Sequence, residues 1–210
     1  MAPRTSGDRF RLLVYREAIG RYRLPAFLLT MMLLGLWYAL GRFPLAWPPV
    51  EAAPWLMAGG LASAVLFLFA LLGPRFAYVQ ARRDHLRVQT PIYRMKVSYR
   101  RIHNTRPVDV ARMFPRASVR GSDRAVLSRL YGKTALGVDL RGLPLSRLVL
   151  RLFFHRLLFA ADTEGLVLVV DKWMTLSNQL SSLMDAWRTA QQARPRSPSV
   201  SASAILNGEE

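Results

Sequence analysis

Residues 78–102 read YVQARRDHLRVQTPIYRMKVSYRRI. Apolar and polar residues alternate through most of this stretch, which is the period of half-buried β-strands. Asp84 marks a turn between two runs, and Pro91 marks a second break. In the last run Tyr93, Met95, Val97 and Tyr99 fall on one side, and Arg94, Lys96, Ser98 and Arg100 on the other. The segment FAYVQA before it and RPVDVARM after it, with Val108 and Val110 alternating, extend the series. Three or four short strands at this spacing predict an antiparallel meander with a row of cations on its exposed face.

Working outward, the charge of that row belongs to the whole chain. The protein has 210 residues, 30 Lys or Arg against 13 Asp or Glu, and a formal net charge of +17. All the cations except Lys96, Lys133 and Lys172 are arginine, whose planar fork suits phosphate and carboxylate partners. Such an arginine excess also fits a simple bias in base composition. There is no cysteine, so disulfides, thiolate nucleophiles and Cys-based metal sites are excluded. His85, His103 and His155 do not stand at metal-ligand spacing. No catalytic, metal or cofactor-binding residue is expected.

Before the meander lie two long uncharged runs. Residues 24–41 read LPAFLLTMMLLGLWYALG, and residues 52–73 read AAPWLMAGGLASAVLFLFALLG. Eighteen residues at about 1.5 Å each cover roughly 27 Å, the depth of a hydrocarbon core. Pro25 suits a first helical turn, and Trp37, Tyr38 and Trp47 suit an interface. The first run is longer than the apolar part of a cleaved leader, and no small-residue cleavage site follows it. Six arginines precede the first run (Arg4, Arg9, Arg11, Arg16, Arg21, Arg23), and Arg75, Arg82, Arg83 and Arg87 follow the second. The connecting loop holds only Arg42 and Glu51, among Pro44, Pro48 and Pro49. The positive-inside rule then places both termini in the cytoplasm and the chain in the inner membrane. Neither run contains an ionisable residue, so a hairpin anchor is expected rather than a transport path. Gly59, Gly60, Ala62 and Ser63 allow the two helices a close approach.

Beyond the meander, Ser122 or Asp123 caps a short helix through Leu130, with Gly132 as its stop. TALGVDL is a strand. The run LSRLVLRLFFHRLLFAAD, residues 145–162, fits either a helix stripe through Arg147, Arg151 and His155 or two strands. Its aromatic and β-branched content favours strands, and whether residues 148–159 are core or touch a bilayer stays open. From Thr163 to Gln191 a heptad of Leu166, Trp173, Leu180 and Trp187 predicts one long amphipathic helix, capped by Asp162 with Glu164 in its first turn. Leu176, Leu183 and Met184 widen its stripe, which also suits dimerisation. Residues 193–210 are rich in Ser and Pro and are expected to be disordered.

The expected division is a basic segment at 1–23, a transmembrane hairpin at 24–73, a cytoplasmic domain at 74–192 and a tail. Two apolar spans, a basic meander in YVQARRDHLRVQTPIYRMKVSYRRIHNTRPVDV, the later YGKTALGVDL and RLLFAADTEGLVLVV, and a closing amphipathic helix resemble the bacterial membrane-anchored pleckstrin-homology-like (PH-like) family. The resemblance implies an α+β membrane protein with a seven-stranded, strongly bent antiparallel β-sandwich or barrel, plugged at one end by the helix. It implies a binding or assembly scaffold and carries no catalytic residue or cofactor.

The function expected is a non-catalytic membrane-anchored scaffold that meets an anionic lipid surface or an acidic protein partner. The expected contacts are Arg82, Arg83, Arg87, Arg94, Lys96, Arg100 and Arg101. An accessory subunit of a larger integral membrane complex is the alternative. Nucleic-acid binding is disfavoured, since Tyr93 and Tyr99 fall on the face opposite the arginines and no zinc or helix-turn-helix signature occurs. Catalysis is disfavoured too: there is no Gly-rich phosphate loop, G-x-S-x-G or H-E-x-x-H, and Asp84-His85 reads as a turn followed by a strand.

Overall fold

A computed structural model describes residues 6–43, 49–117, 119, 121–143, 146–160 and 164–193. Residues 44–48 of the expected Pro-rich loop, Trp47 among them, the helix cap Asp162 and nearly all of the expected tail lie outside the described residues.

The protein is a mixed α+β structure with two apolar helices and two antiparallel sheets. It begins with a strand, β1 (Ser6–Arg11), and a short helix, α1 (Leu13–Gly20). Two long helices follow, α2 (Arg23–Arg42) and α3 (Ala53–Phe76), close to the bounds read from their missing charges. The meander is β2 (Tyr78–Arg82), β3 (His85–Gln89) and β4 (Arg94–Ser98). Then come β5 (Ile102–Asp109), the single turn α4 (Val110–Met113), α5 (Ser122–Ser128) and β6 (Thr134–Leu140). The chain closes with α6 (Arg147–Phe153), β7 (Gly165–Leu168) and α7 (Trp173–Gln192).

The first sheet has the order β1-β2-β3-β4 and the second β5-β6-β7. β1 therefore pairs antiparallel with β2, across the whole helical hairpin, in the register Arg9 to Gln80 and Arg11 to Tyr78. Residues 6–20, read from sequence as part of a basic segment apart from the domain, form a strand and a helix packed into it. Just past β1 the chain also meets the other sheet: Leu12 bridges Val170, and the Leu13 N–H donates to the Val169 carbonyl at 2.9 Å.

Strand alternation divides the apolar residues between two cores. Phe10 and Leu12, Val79 and Ala81, Leu86 and Val88, Met95 and Val97, Leu136 and Val138, and Leu166 and Leu168 share the larger one. Leu176, Leu180 and Met184 of α7 complete it, a 4-residue repeat on one helix face. Each such leucine, removed fully from water, contributes about 1.5–3 kcal/mol. The smaller core lies on the far side of β6 and β7, where Val167 and Val169 meet Leu13, Val14, Val110, Val126, Leu127 and Leu157.

Four local expectations change. The strand expected through Ile102 ends at Ser98, and Tyr99–Arg101 forms a 3-10 turn. Buried Tyr99, whose hydroxyl donates to the Arg82 carbonyl and whose ring meets Trp187 edge-on, anchors that turn. Val110 opens α4 instead of continuing a strand, because Asp109 accepts the Ala111 N–H at 2.8 Å as a cap. The run expected as two strands is α6 and a 3-10 turn at Arg156–Leu158. Its leucines and arginines are good helix formers, and Leu150 and Phe154 turn into the core. Conversely the expected helix from Thr163 starts only at Trp173. Leu166, Val167, Leu168, Val169 and Val170 are all buried, alternately in the two cores, and only a strand presents such a run to both sides.

The helical hairpin packs as its small residues suggest. The Thr30 hydroxyl donates to Ser63 Oγ at 3.0 Å, and the Phe27 and Phe67 rings lie 5.5 Å apart. A Cβ on Gly60 would stand 2.5 Å from a methyl carbon of Leu34, whereas one on Gly35 would meet nothing within 4 Å. We expect Gly60→Val to destabilise the hairpin by about 1–3 kcal/mol through overpacking. Gly35→Ala should not destabilise it. Thermal unfolding of both variants in the same mild detergent checks this, and equal midpoints would refute close packing at Gly60.

Candidate functional site

With Phe10, Val79, Ala81, Leu86, Val88, Met95 and Val97 turned inward, the residues that alternate with them face outward. Register places them in rows. The row nearest the helical hairpin is Arg11, Tyr78, Gln89 and Arg94, and the next is Arg9, Gln80, Arg87 and Lys96. Arg82 and His85 lie beyond them. Six cations thus share this face: Arg9, Arg11, Arg82, Arg87, Arg94 and Lys96. The alternation gives it no Asp or Glu, since Asp8 turns to Gln179 of α7 and Asp84 sits in the β2–β3 turn against His85 Nδ1 at 2.7 Å.

Arg87 is the centre of the face. It is only 8% exposed, and its guanidinium lies 5.5 Å from the centre of the Tyr78 ring, which Arg9 approaches at 5.0 Å. It donates from Nη2 to Gln89 Oε1, while its Nε is buried without a partner. Burial first, and then the positive fields of Arg94, Arg82 and Arg9, hold its pKa below the ordinary arginine value, with Tyr78 opposing them. Lys96 stands directly opposite Arg87 in the ladder.

Of the seven expected contacts, Arg82, Arg87, Arg94 and Lys96 lie on this face. Arg83 projects from the β2–β3 turn. Arg100 and Arg101 leave the row because β4 ends before them, and their 3-10 turn sits at the end of the sheet away from the hairpin, near Arg82 and Arg83. Arg9 and Arg11 were not among the expected contacts. Their signal is the alternation of Phe10 and Leu12 with Arg9 and Arg11, short enough to pass as a charged leader.

A polar knot ties α1 and the start of α2 to α5 and the turn after α6. The Tyr15 hydroxyl accepts the His155 N–H at 3.0 Å, and burial raises its pKa to about 12. Arg21 donates to the Ser122 carbonyl at 2.9 Å, and buried Asp123 bonds Arg156 with His155 Nε2 at 3.5 Å. α6 packs against the β3–β4 turn, where Tyr93 stacks on Phe153 at 5.1 Å. The run left open from sequence is split: Leu150, Phe154, Leu157, Leu158 and Phe159 are core, whereas Leu148 and Leu152 are each 79% exposed. Ile92, at the tip of the neighbouring β3–β4 turn, is 72% exposed.

No metal-competent cluster of His, Asp or Glu occurs among the described residues. No family model, curated protein or solved structure matches this chain.

Two outcomes follow from these charges. Lys96→Glu should stabilise the fold by about 0.2–1 kcal/mol, because it turns a directly opposed like-charge pair with Arg87 into an attractive one. A denaturation midpoint lower than wild type at low salt would refute this. Burial and then the field of Arg21 hold the His155 pKa below its usual 6.5. The unfolded chain then takes up a proton that the folded chain resists, so stability falls as pH drops through about 6.5 and levels off below the folded value. The thermal midpoint between pH 7.5 and 5.5 should show that fall, and His155→Gln should flatten it.

Proposed function

We propose that the chain is a non-catalytic scaffold anchored in the inner membrane by α2 and α3, with both termini cytoplasmic. In this reading a PH-like domain presents its basic sheet face to an anionic leaflet or to an acidic partner beside it. The observation that carries the reading is the carboxylate-free face of Arg9, Arg11, Arg82, Arg87, Arg94 and Lys96, linked by β1–β2 pairing to the ends of an apolar hairpin.

Three features support it. α2 and α3 have 20 and 24 residues, about 30 and 36 Å of helix, and their apolar side chains are largely bare, among them Leu24, Leu28, Met32, Val65 and Leu66. A buried core helix would cover those groups. Pairing of β1 with β2 requires both ends of the hairpin on one side, and the arginines flanking it favour the cytoplasm. Exposed Leu148, Leu152 and Ile92 near the start of the hairpin suit shallow contact with a bilayer. The count of four and three strands with one closing helix fits the PH-like resemblance. An acidic subunit of a larger membrane complex would use the same basic face in place of lipid.

The test uses the full chain. Alkaline carbonate should leave it in the membrane pellet, and release would overturn the anchor. In nanodiscs, hydrogen exchange of the edge strand β4 and of α6 should slow several-fold with phosphatidylglycerol relative to phosphatidylcholine. Arg94→Glu/Lys96→Glu should lose that difference, since each cation near an anionic surface contributes about 1 kcal/mol. Equal exchange in both lipids would overturn the lipid arm and leave the acidic partner as the reading to pursue.

A further inference from the structure

Four arginines outside the expected contacts converge at the start of the hairpin. Arg11 ends β1, Arg16 lies in α1, Arg23 opens α2 and Arg75 lies in the last turn of α3. They line one cleft of about 210 Å³, whose remaining wall is Leu12, Leu71 and Pro74. At about 30 Å³ per water this volume holds about seven waters, room for a phosphodiester and part of its glycerol.

The charges in the cleft are largely uncompensated. Arg16 pairs with Glu17 at 3.3 Å and more loosely with Asp171 at 3.9 Å. Arg23 uses its Nε on the Ala70 carbonyl at 3.0 Å. Among the described residues, no carboxylate lies within 4 Å of Arg11, Arg23 or Arg75. Three positive guanidinium groups therefore share a small volume with one tethered neighbour, and each offers a fork suited to phosphate oxygens.

The place of the cleft selects the source of the phosphate. It opens where the uncharged stretch of α2 begins and that of α3 ends, the level of lipid headgroups in the proposed reading. Leu71, one turn further into α3, leads from the arginines along the apolar surface of the hairpin. A soluble phosphate has no use for that wall, whereas an acyl chain does. A zwitterionic headgroup would bring its own cation towards the arginines, which disfavours it.

We propose that this cleft holds the phosphodiester of one anionic phospholipid, with Arg11, Arg23 and Arg75 on the phosphate and the acyl chains along Leu71. The proposal rests on the membrane reading above. It shares Arg11 with the sheet face, but that face meets a surface without enclosing a single molecule.

Native mass spectrometry of the full chain in mild detergent tests it, with phosphatidylglycerol and phosphatidylcholine as probes. Wild type should retain one phosphatidylglycerol with at least a several-fold preference. Arg11→Gln/Arg75→Gln should lose the preference, and Arg94→Gln/Lys96→Gln on the sheet should keep it. Equal retention of the two lipids by wild type, or an undiminished preference in the cleft variant, would overturn the proposal. Inorganic phosphate that raises the thermal midpoint as much as phosphatidylglycerol, against chloride at equal ionic strength, would also overturn it in favour of a soluble anion. Should the double variant fail to fold, Arg75→Glu at the exposed end of α3 gives the same readout. A chain released by alkaline carbonate fails the membrane reading itself, whereas one retained without lipid preference fails only here.

Discussion

The pairing of β1 with β2 is the constraint on which the rest of the molecule depends. These strands are neighbours in the sheet, yet residues 12–77 separate them in the chain. Closing a flexible loop of that length instead of a four-residue turn would cost four more doublings, about 2.4 kcal/mol. The loop is not flexible, however. α2 and α3 pack along each other through Thr30 and Ser63, and Arg23 reaches across to the Ala70 carbonyl. The helices bring Arg11 and Tyr78 together, and the sheet in turn holds the ends of the helices. Without the strand pair the start of the hairpin would be loose, and neither the six-cation face nor the four-arginine cleft would have a fixed shape.

The same pairing explains how the domain tolerates its charge. Each strand of the first sheet spends one side on the larger core, through pairs such as Phe10 with Val79 and Val88 with Met95. The cations share the other side, where Arg87 and Lys96 stand opposite each other at an electrostatic cost. Apolar burial is the larger quantity, since several fully buried leucines and valines each contribute more than one like-charge pair removes. The sheet can therefore carry an uncompensated face. Tyr78, between Arg9 and Arg87, offers the two guanidinium groups a π-face where a carboxylate would otherwise stand.

Legibility in the sequence followed the range of the interactions involved. The two long helices and β2, β3 and β4 were readable because missing charge and strict alternation are local signals. The short helix before Gly132 was readable for the same reason, but neither Ser122 nor Asp123 caps it: both lie inside it after Gly121, and it ends at Ser128 rather than Leu130, four residues before Gly132 and its positive φ of 83°. β1 was not, because its partner is about seventy residues away and an irregularity between Ser6 and Arg9 breaks its alternation. Leu166 fell on the heptad of α7 by coincidence of spacing, while the run LVLVV in fact alternates between two cores that only the fold creates. α6 was misread because both of its faces are apolar, one into the core and one outward. The cleft was out of reach altogether, as its arginines come from four elements that sequence alone does not bring together.

Distance from the hairpin divides the cations of the proposed scaffold into unequal groups. Arg11 and Arg94 stand in the row beside the start of β2, whereas Arg82 lies four residues further along that strand. At about 3.3 Å per residue the separation is roughly 13 Å. That exceeds the screening length of about 8 Å at physiological ionic strength. If the strands rise away from the bilayer, Arg82, Arg83, Arg100 and Arg101 feel little of its surface potential, while Arg11, Arg94 and the cleft arginines feel most of it. On the proposed reading it is this far group that an acidic partner would meet. In the proposed scaffold the alternation of the strands would supply the near cations, whereas all of the far group but Arg82 would come from the turns that end the strands.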